Sequence, residues 1–383
     1  MKNAFDFVVV GIGSMGSAAT YFLAQQGYRV LGIDQFAPPH DLGSHAGQSR
    51  IIRKAYFEHP DYVPLLERSY WLWREFERQT GKKYYYDTGI VYFGDEAHPT
   101  MKGVRTSAKQ YNVAVDVYDF RKSQHEFPQF NIPGSYQTLV EPDAGFVRPE
   151  FAIQNYLVEA EVAGATLKTG EKVLTWDQSA TGATVKTDKA TYACDKVILA
   201  GGSWMASLVP QLEKKLTVTR QTLAWIDPRE PERFALGNFP CWFIEDPALG
   251  MFYGFPVLPY ENFGGPIGMK IASHRPGEVT DPDHVDRKTL PAEENAIKTV
   301  LSKYFRGAGE EIISLKTCLY TYSPDENFII DILPGTNGRV VVAAGFSGHG
   351  FKFVPVIGEV ISDLAVKGKT LHPIEFLSLK RLL

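Results

Sequence analysis

Two kinds of pattern in this chain could support chemistry: glycine-rich turns able to cradle a phosphorylated cofactor, and a small set of cations, imidazoles and one thiol spread among the later motifs. The first turn lies in "DFVVVGIGSMGSAATYFLAQQGYRVLGID", where Gly11, Gly13 and Gly16 fill a GxGxxG spacing around Ser14 and Met15, and Asp34 closes the next apolar stretch. Gly11 permits a tight turn, Gly13 lets backbone approach a pyrophosphate, and Gly16 lets a helix pack on a strand, with the helix N-terminus facing the phosphate charge. Asp34 is placed to accept hydrogen bonds from ribose hydroxyls. Its charge disfavours a 2′-phosphate, so NADP is the least favoured dinucleotide.

Two later segments have the same strand, glycine-rich turn and helix order. "DKVILAGGSWMASLVP" carries Gly201 and Trp204, and "GRVVVAAGFSGHGFKFVPVIGEVISDLAVKG" carries Gly345, Gly348, Gly350, Phe351 and Lys352. NAD enzymes use one such turn, whereas a flavin nucleotide is long enough to meet several. In "GFSGHGFKF" the backbone N–H groups and the positive end of the following helix can face the pyrimidine edge of an isoalloxazine, where negative charge gathers on reduction.

The remaining reactive residues are more open. Cys318 in "LKTCLYTYSPDENFIID" is a core thiol, a redox group or an attachment point on the residues alone. In "MKIASH", Lys270 and His274 share one side of either a helix or a strand. Gly264, Gly265 and Gly268 just before them favour the strand, and both then face one cavity. Arg53 by itself reads as a solvated charge, and Arg50 as the partner of a surface acid.

A chain of 383 residues with 44% hydrophobic content suits two domains with a sizeable core. Lys+Arg 40 against Asp+Glu 44 gives a net charge of −4, and no block of like charges appears, which argues against nucleic acid as a partner. The 3 cysteines are far apart and form no CxxC, so neither a disulfide framework nor a metal site is indicated. No apolar run is long enough to span a membrane, the chain enters a strand too early to hold a signal sequence, and it ends Lys-Arg-Leu-Leu; the cytoplasm is expected. A helix is predicted over 62–77, strands within "TGKKYYYDTGIVYFGD", a helix in "EFAIQNYLVEAEVAGA", and strands near Lys172 and over 183–187. Residues 101–143 show no clear pattern. From 216 to 314 strands and aromatic-rich loops lack βα alternation and predict a second, mainly antiparallel domain.

The motifs "GIGSMG", "GSHAGQSRIIRKAY", "YGFP", "MKIASH", "KTCLYTYSPDENFIIDILP" and "SGHGFKF" occur in the order found in the monomeric sarcosine oxidase and N-methyltryptophan oxidase family of FAD-dependent amine oxidases, which the whole chain resembles. The resemblance implies an α/β and α+β protein of two domains: a glutathione-reductase-like, Rossmann-type FAD domain (1–85, 147–218 and 320–383) and a mixed or antiparallel-sheet substrate domain (86–146 and 219–319). It implies FAD held covalently by a thioether from Cys318 to the ring's 8α carbon, with Ser44, Ser49, Val173 and Tyr320 also near the cofactor. Arg53 and Lys352 match the positions that bind a substrate carboxylate, Arg50 a cation beside the flavin, and Lys270 the oxygen-activating ammonium. His274 and Tyr253 match the amine end of the pocket. The implied partners are a secondary amino acid and O2, and the implied products an imine and H2O2, made by a monomer. A dehydrogenase with another electron acceptor, or a non-catalytic flavin-binding module, would share most of these motifs. Between Tyr253 and Lys270 the connection "GFPVLPYENFGGPIGM" is longer and more aromatic than the family's, and Ser49 replaces a common Thr, so substrate size does not carry over.

Overall fold

The structure, a computed structural model, describes residues 4–383. Phe5–Val10 forms the central strand of an 8-stranded sheet, pairing in parallel with Val30–Ile33 on one side and Thr191–Leu199 on the other. Val8 and Val9 are both fully buried, as a strand covered on two faces requires, and this is why the run Phe7 to Val10 is apolar at successive rather than alternate positions. The parallel set extends to Thr166–Lys168 and Val340–Ala344, and antiparallel strands Val173–Gln178, Ala183–Thr187 and Ile329–Ile332 complete the sheet.

Helices Ser14–Gln25, Pro149–Val162 and Val354–Lys367 pack on one face of this sheet with the long helix Val63–Thr80, in one continuous core. Val63–Thr80 buries Leu65, Leu66, Ser69, Tyr70, Leu72, Trp73 and Phe76, the stripe that predicted it, and ends where Gly81 takes a left-handed φ of 68°. The opposite face is covered by a second apolar cluster that includes Val10, Ile33, Leu199 and Met205.

A second 8-stranded sheet is led by an antiparallel ribbon, Thr217–Asp227 with Glu311–Tyr322, paired from Thr217↔Tyr322 to Asp227↔Glu311. Met269–Ser273, Gly250–Phe255 and Cys241–Asp246 follow in antiparallel order. Ile90–Gly94 then joins parallel to Cys241–Asp246, so the sheet is mixed. The unpatterned region 101–143 supplies the helices Pro99–Tyr111 and Phe120–Glu126, the strand Gln137–Glu141 and the edge strand Asp116–Tyr118. Its short, half-exposed elements leave no long apolar period to read. A 3-stranded sheet of Arg50–Ile52, Tyr85–Tyr86 and Gly145–Val147 lies between the two large ones in the chain order. Among the described residues, no helix is long and apolar enough to cross a membrane.

Candidate active site

One cavity runs from the first glycine-rich turn to the second sheet. The turn after Phe5–Val10 contributes Gly11, Gly13, Ser14 and Met15 to its wall. Gly11 has φ 83°, and a Cβ there would fall 2.6 Å from the Ala200 carbonyl oxygen, so two glycine-rich turns meet at this point without side chains between them. Gly16 is not in the wall; a Cβ at Gly16 would overlap the Gly11 carbonyl, and its hydrogen is what allows the helix so close to the strand. Asp34 lines the same end, accepting from the Ile12 and Phe36 N–H groups at 3.0 and 2.9 Å. Burial raises its pKa to about 6 against those two bonds.

Val173, Gly201 and Trp204 also line the cavity, and Ser44 borders it from the loop after Asp34. The third turn adds Gly345, Gly348, Gly350, Phe351 and Lys352. The cavity therefore touches all of the glycine-rich turns. A long, charged nucleotide fits this wall: backbone without side chains at one point, and a buried carboxylate with spare oxygen capacity at the next.

At the far end the two sheets bring cations and aromatic rings together. Arg53, 1% exposed, meets Glu58 through Nη2, which lies 2.6 Å from both carboxylate oxygens. Its guanidinium lies over the rings of Phe57 and Tyr56, 3.8 and 4.3 Å from their centroids. Arg53 Nε is buried with no hydrogen-bond partner, a costly vacancy for a guanidinium. Burial opposes ionisation of Glu58, but Arg53, His349 and Lys352 together bring its pKa down to about 2.

Lys352 donates to the His349 carbonyl oxygen at 2.7 Å and reaches the Tyr56 hydroxyl at 3.5 Å. Burial, then Arg53, lowers its pKa to about 7, with Glu58 acting the other way. An anion held by this ammonium is therefore expected to bind more weakly as pH rises through about 7, where the free protein loses the charge. Calorimetric titration with acetate or propionate between roughly pH 6 and 9 checks this, and a flat profile would count against Lys352 as an anion site.

Tyr253 and Tyr320, from different strands, join hydroxyls at 3.1 Å, and His274 packs edge-on against both rings. Burial lowers the His274 pKa to about 4, so its imidazole is neutral near pH 7. Arg50 lines the cavity and donates to the carbonyls of Ser49, Ala46 and Ser44.

Lys270 is not in the cavity wall. Its strand places it on the same side as Ala272, but the loop 47–49 covers it, and Nζ donates to the Gly47 and Ser49 carbonyls at 2.6 and 2.8 Å. Lys270 and His274 thus do not share one open surface as the spacing predicts, because the loop covers Lys270 while His274 lines the cavity. Ser49 lies with Lys270 behind the wall. Cys318, 1% exposed, is also set back, while its neighbours Leu319, Tyr320 and Thr321 form the wall. Burial raises the thiol pKa, and Arg50, Lys270 and Arg287 pull it down.

Sequence reasoning missed Glu58, Phe243 and His349 in the wall, and Tyr56 behind them. His349 bonds the Tyr56 hydroxyl through Nδ1, with Nε2 3.1 Å from the Glu326 carbonyl oxygen, and burial takes its pKa to about 3. It stands inside the quoted "SGHGFKF", so the signal was present but read as backbone only.

The sequence matches the family model described as FAD dependent oxidoreductase over residues 6–364. It is 38% identical to a monomeric sarcosine oxidase of Streptomyces avermitilis, over 100% of this chain and 99% of that one. It is 34% identical to an N-methyl-L-tryptophan oxidase of Yersinia pestis, over 94% and 95% of the two chains. In fold it is similar to NikD, an unusual amino acid oxidase essential for nikkomycin biosynthesis (TM-score 0.84, 24% identity, 98% of this chain and 97% of that chain), and to L-proline dehydrogenase from P. horikoshii (TM-score 0.81, 22% identity, 100% and 98%). With a nucleotide-shaped cavity joined to a cationic, aromatic-walled pocket, and a family match over nearly its whole length, the chain belongs to the FAD dependent oxidoreductases.

Proposed function

We propose that the protein oxidises secondary amino acids, N-methyl amino acids first among them, with FAD as cofactor and O2 as electron acceptor. The observation that carries the substrate class is the buried, unpartnered Nε of Arg53 beside Lys352 in the cavity wall. A guanidinium presents two parallel N–H groups to a carboxylate, and a nearby ammonium adds a point charge, so the pair can fix one end of an amino acid. Binding there requires the substrate carboxylate to compete with Glu58 for Arg53.

Tyr253, His274 and Tyr320 wall the other side, with Phe243 packed against Tyr253 and His274. The neutral imidazole places no anion there to hold an ammonium, and the amine's lone pair must be free before the adjacent C–H bond can be oxidised. Bound FAD supplies the acceptor for two electrons and a hydrogen from that bond. The imine product hydrolyses in water, giving the primary amino acid and formaldehyde from an N-methyl substrate. The name of the sarcosine oxidase relatives, monomeric, supports a single-chain enzyme, and we place it in the cytoplasm.

Peroxide release in air on adding a panel of N-methyl amino acids tests this reading. Peroxide with at least one of them is expected. Bleaching of the flavin without peroxide would make the protein a dehydrogenase, and no bleaching with any of them would leave it a binder.

Covalent attachment is inferred at Cys318, whose strand supplies Leu319, Tyr320 and Thr321 to the cavity. After acid precipitation the yellow colour is expected in the pellet, and in Cys318→Ser it is expected in the supernatant. Colour wholly in the wild-type supernatant would rule the bond out.

A further inference from the structure

The segment Gly47–Ser49 is held from two sides at once. Its carbonyls at Gly47 and Ser49 accept from Lys270 Nζ. Its N–H groups at Gly47 and Gln48 both donate to Glu150 Oε1, at 2.6 and 3.1 Å. Glu150 sits in the first turn of the helix Pro149–Val162. The segment has little freedom to drift between them. Gly47 has φ 116° and Gln48 φ 67°, and a Cβ at Gly47 would fall 2.7 Å from Leu223 Cδ1 and 3.3 Å from Lys270 Nζ. Gln48 accepts from Trp225 Nε1 at 2.7 Å and donates to the Gly264 carbonyl, so its side chain is fixed as well.

Charge points the same way. Arg50 and Lys270 share the Ser49 carbonyl, at 2.9 and 2.8 Å, and every hydrogen bond from the two cations ends on an oxygen of residues 44–49. Two buried cations at one carbonyl repel each other. Burial, then Arg50, hold the Lys270 pKa well below the usual lysine range, while Glu150 from its helix, and Cys318 and Cys241 from two other strands, act the other way. Of these, Glu150 alone is a carboxylate, and its field also reaches Arg50.

We propose that Glu150 is a positioning residue for the oxygen half-reaction: through the Gly47 and Gln48 N–H groups it aligns the carbonyls that seat the Lys270 ammonium, and it supplies the negative charge opposite that ammonium. This rests on the reading of Lys270 as the cation that serves O2. In that step O2 takes two electrons from the reduced cofactor and two protons, and leaves as H2O2; a fixed cation where charge develops on oxygen lowers the barrier.

The test compares Glu150→Gln, Glu150→Asp and Lys270→Met in the holoenzyme. In protein labelled with 13Cε-lysine, the Lys270 signal is assigned by its loss in Lys270→Met and titrated with pH. Glutamine keeps an oxygen for the two N–H groups but removes the charge, so the Lys270 midpoint is expected to fall by about one unit or more. Reoxidation by O2, measured by rapid mixing of the reduced protein, is expected to slow about 10-fold near pH 8, while anaerobic reduction by substrate stays within about twofold. The Asp variant keeps the charge but draws it one methylene back from the two N–H groups, and is expected to fall between wild type and Gln in midpoint and in reoxidation; should the Gln variant fail to fold, wild-type values of both in Glu150→Asp would overturn the role. An unchanged midpoint and wild-type reoxidation in Glu150→Gln, alongside slow reoxidation in Lys270→Met, would overturn the role of Glu150. Fast reoxidation in Lys270→Met would instead remove the reading of Lys270 on which it stands.

Discussion

Lys270→Met is expected to leave anaerobic reduction by substrate within a factor of about two and to slow reoxidation by O2 about 10²- to 10³-fold, the usual size of effect when a preorganised charge is removed from a developing anion. The separation of the two halves follows from position. Lys270 is 2% exposed, covered by the loop 47–49 and walled by Phe255, whose ring centroid lies 4.6 Å from Nζ, so no substrate carboxylate or amine can reach it without displacing that loop. Methionine has nearly the same length and no charge. It leaves the Gly47 carbonyl without its donor, at a cost of about 1–3 kcal/mol in stability, while Ser49 keeps Arg50. Rapid-mixing absorbance measurements of each half-reaction give the answer directly. Reoxidation at the wild-type rate would take Lys270 out of the oxygen step.

Arg53→Ala is expected to act on the other half alone, lowering kcat/KM about 10²- to 10³-fold, mainly through KM, because a bidentate charge-assisted contact to a carboxylate is lost. The loss is compounded by what remains. Glu58 owes its low pKa to Arg53 before His349 and Lys352, and without Arg53 burial pushes that pKa upward, so a costly acid is left beside the substrate's own carboxylate. Arg53→Lys restores the charge but not the fork, and is expected to recover only part of the loss. Steady-state kinetics with the best substrate of the peroxide panel decides the matter; an unchanged KM in Arg53→Ala would assign the carboxylate to other groups.

The nucleotide end of this site was legible because its chemistry is backbone chemistry. A glycine spacing after an apolar run fixes where the chain turns, and the acid at Asp34 follows one strand later. At the substrate end, contacts depend on partners distant in sequence. Glu58 is close to Arg53 in the chain, yet only the packing of Phe57 and Tyr56 around the guanidinium folds it back. Glu150 lies about 100 positions from Gly47, and nothing local in "RPEFAIQ" marks its carboxylate as anything but a charge in the first turn of a helix. The even spacing of Lys270 and His274 gave their common side but could not show that the loop 47–49 would cover Lys270. The second sheet is mainly antiparallel, as its strands without βα alternation predict; the single parallel pairing, Ile90–Gly94 with Cys241–Asp246, spans a separation that no local pattern records.

The ribbon of Thr217–Asp227 and Glu311–Tyr322 has a consequence for how the protein recovers from unfolding. Cys318 lies on that ribbon, in the second sheet, whereas Gly11 and Asp34 directly follow strands of the first. With a thioether at Cys318, denaturation frees the nucleotide half of the cofactor but leaves the ring leashed to the chain. Recapture then becomes intramolecular, at an effective concentration on the order of millimolar for a short flexible tether. Refolding of the flavinylated chain is therefore expected to be indifferent to added FAD, whereas Cys318→Ser must find its cofactor afresh from solution at every attempt.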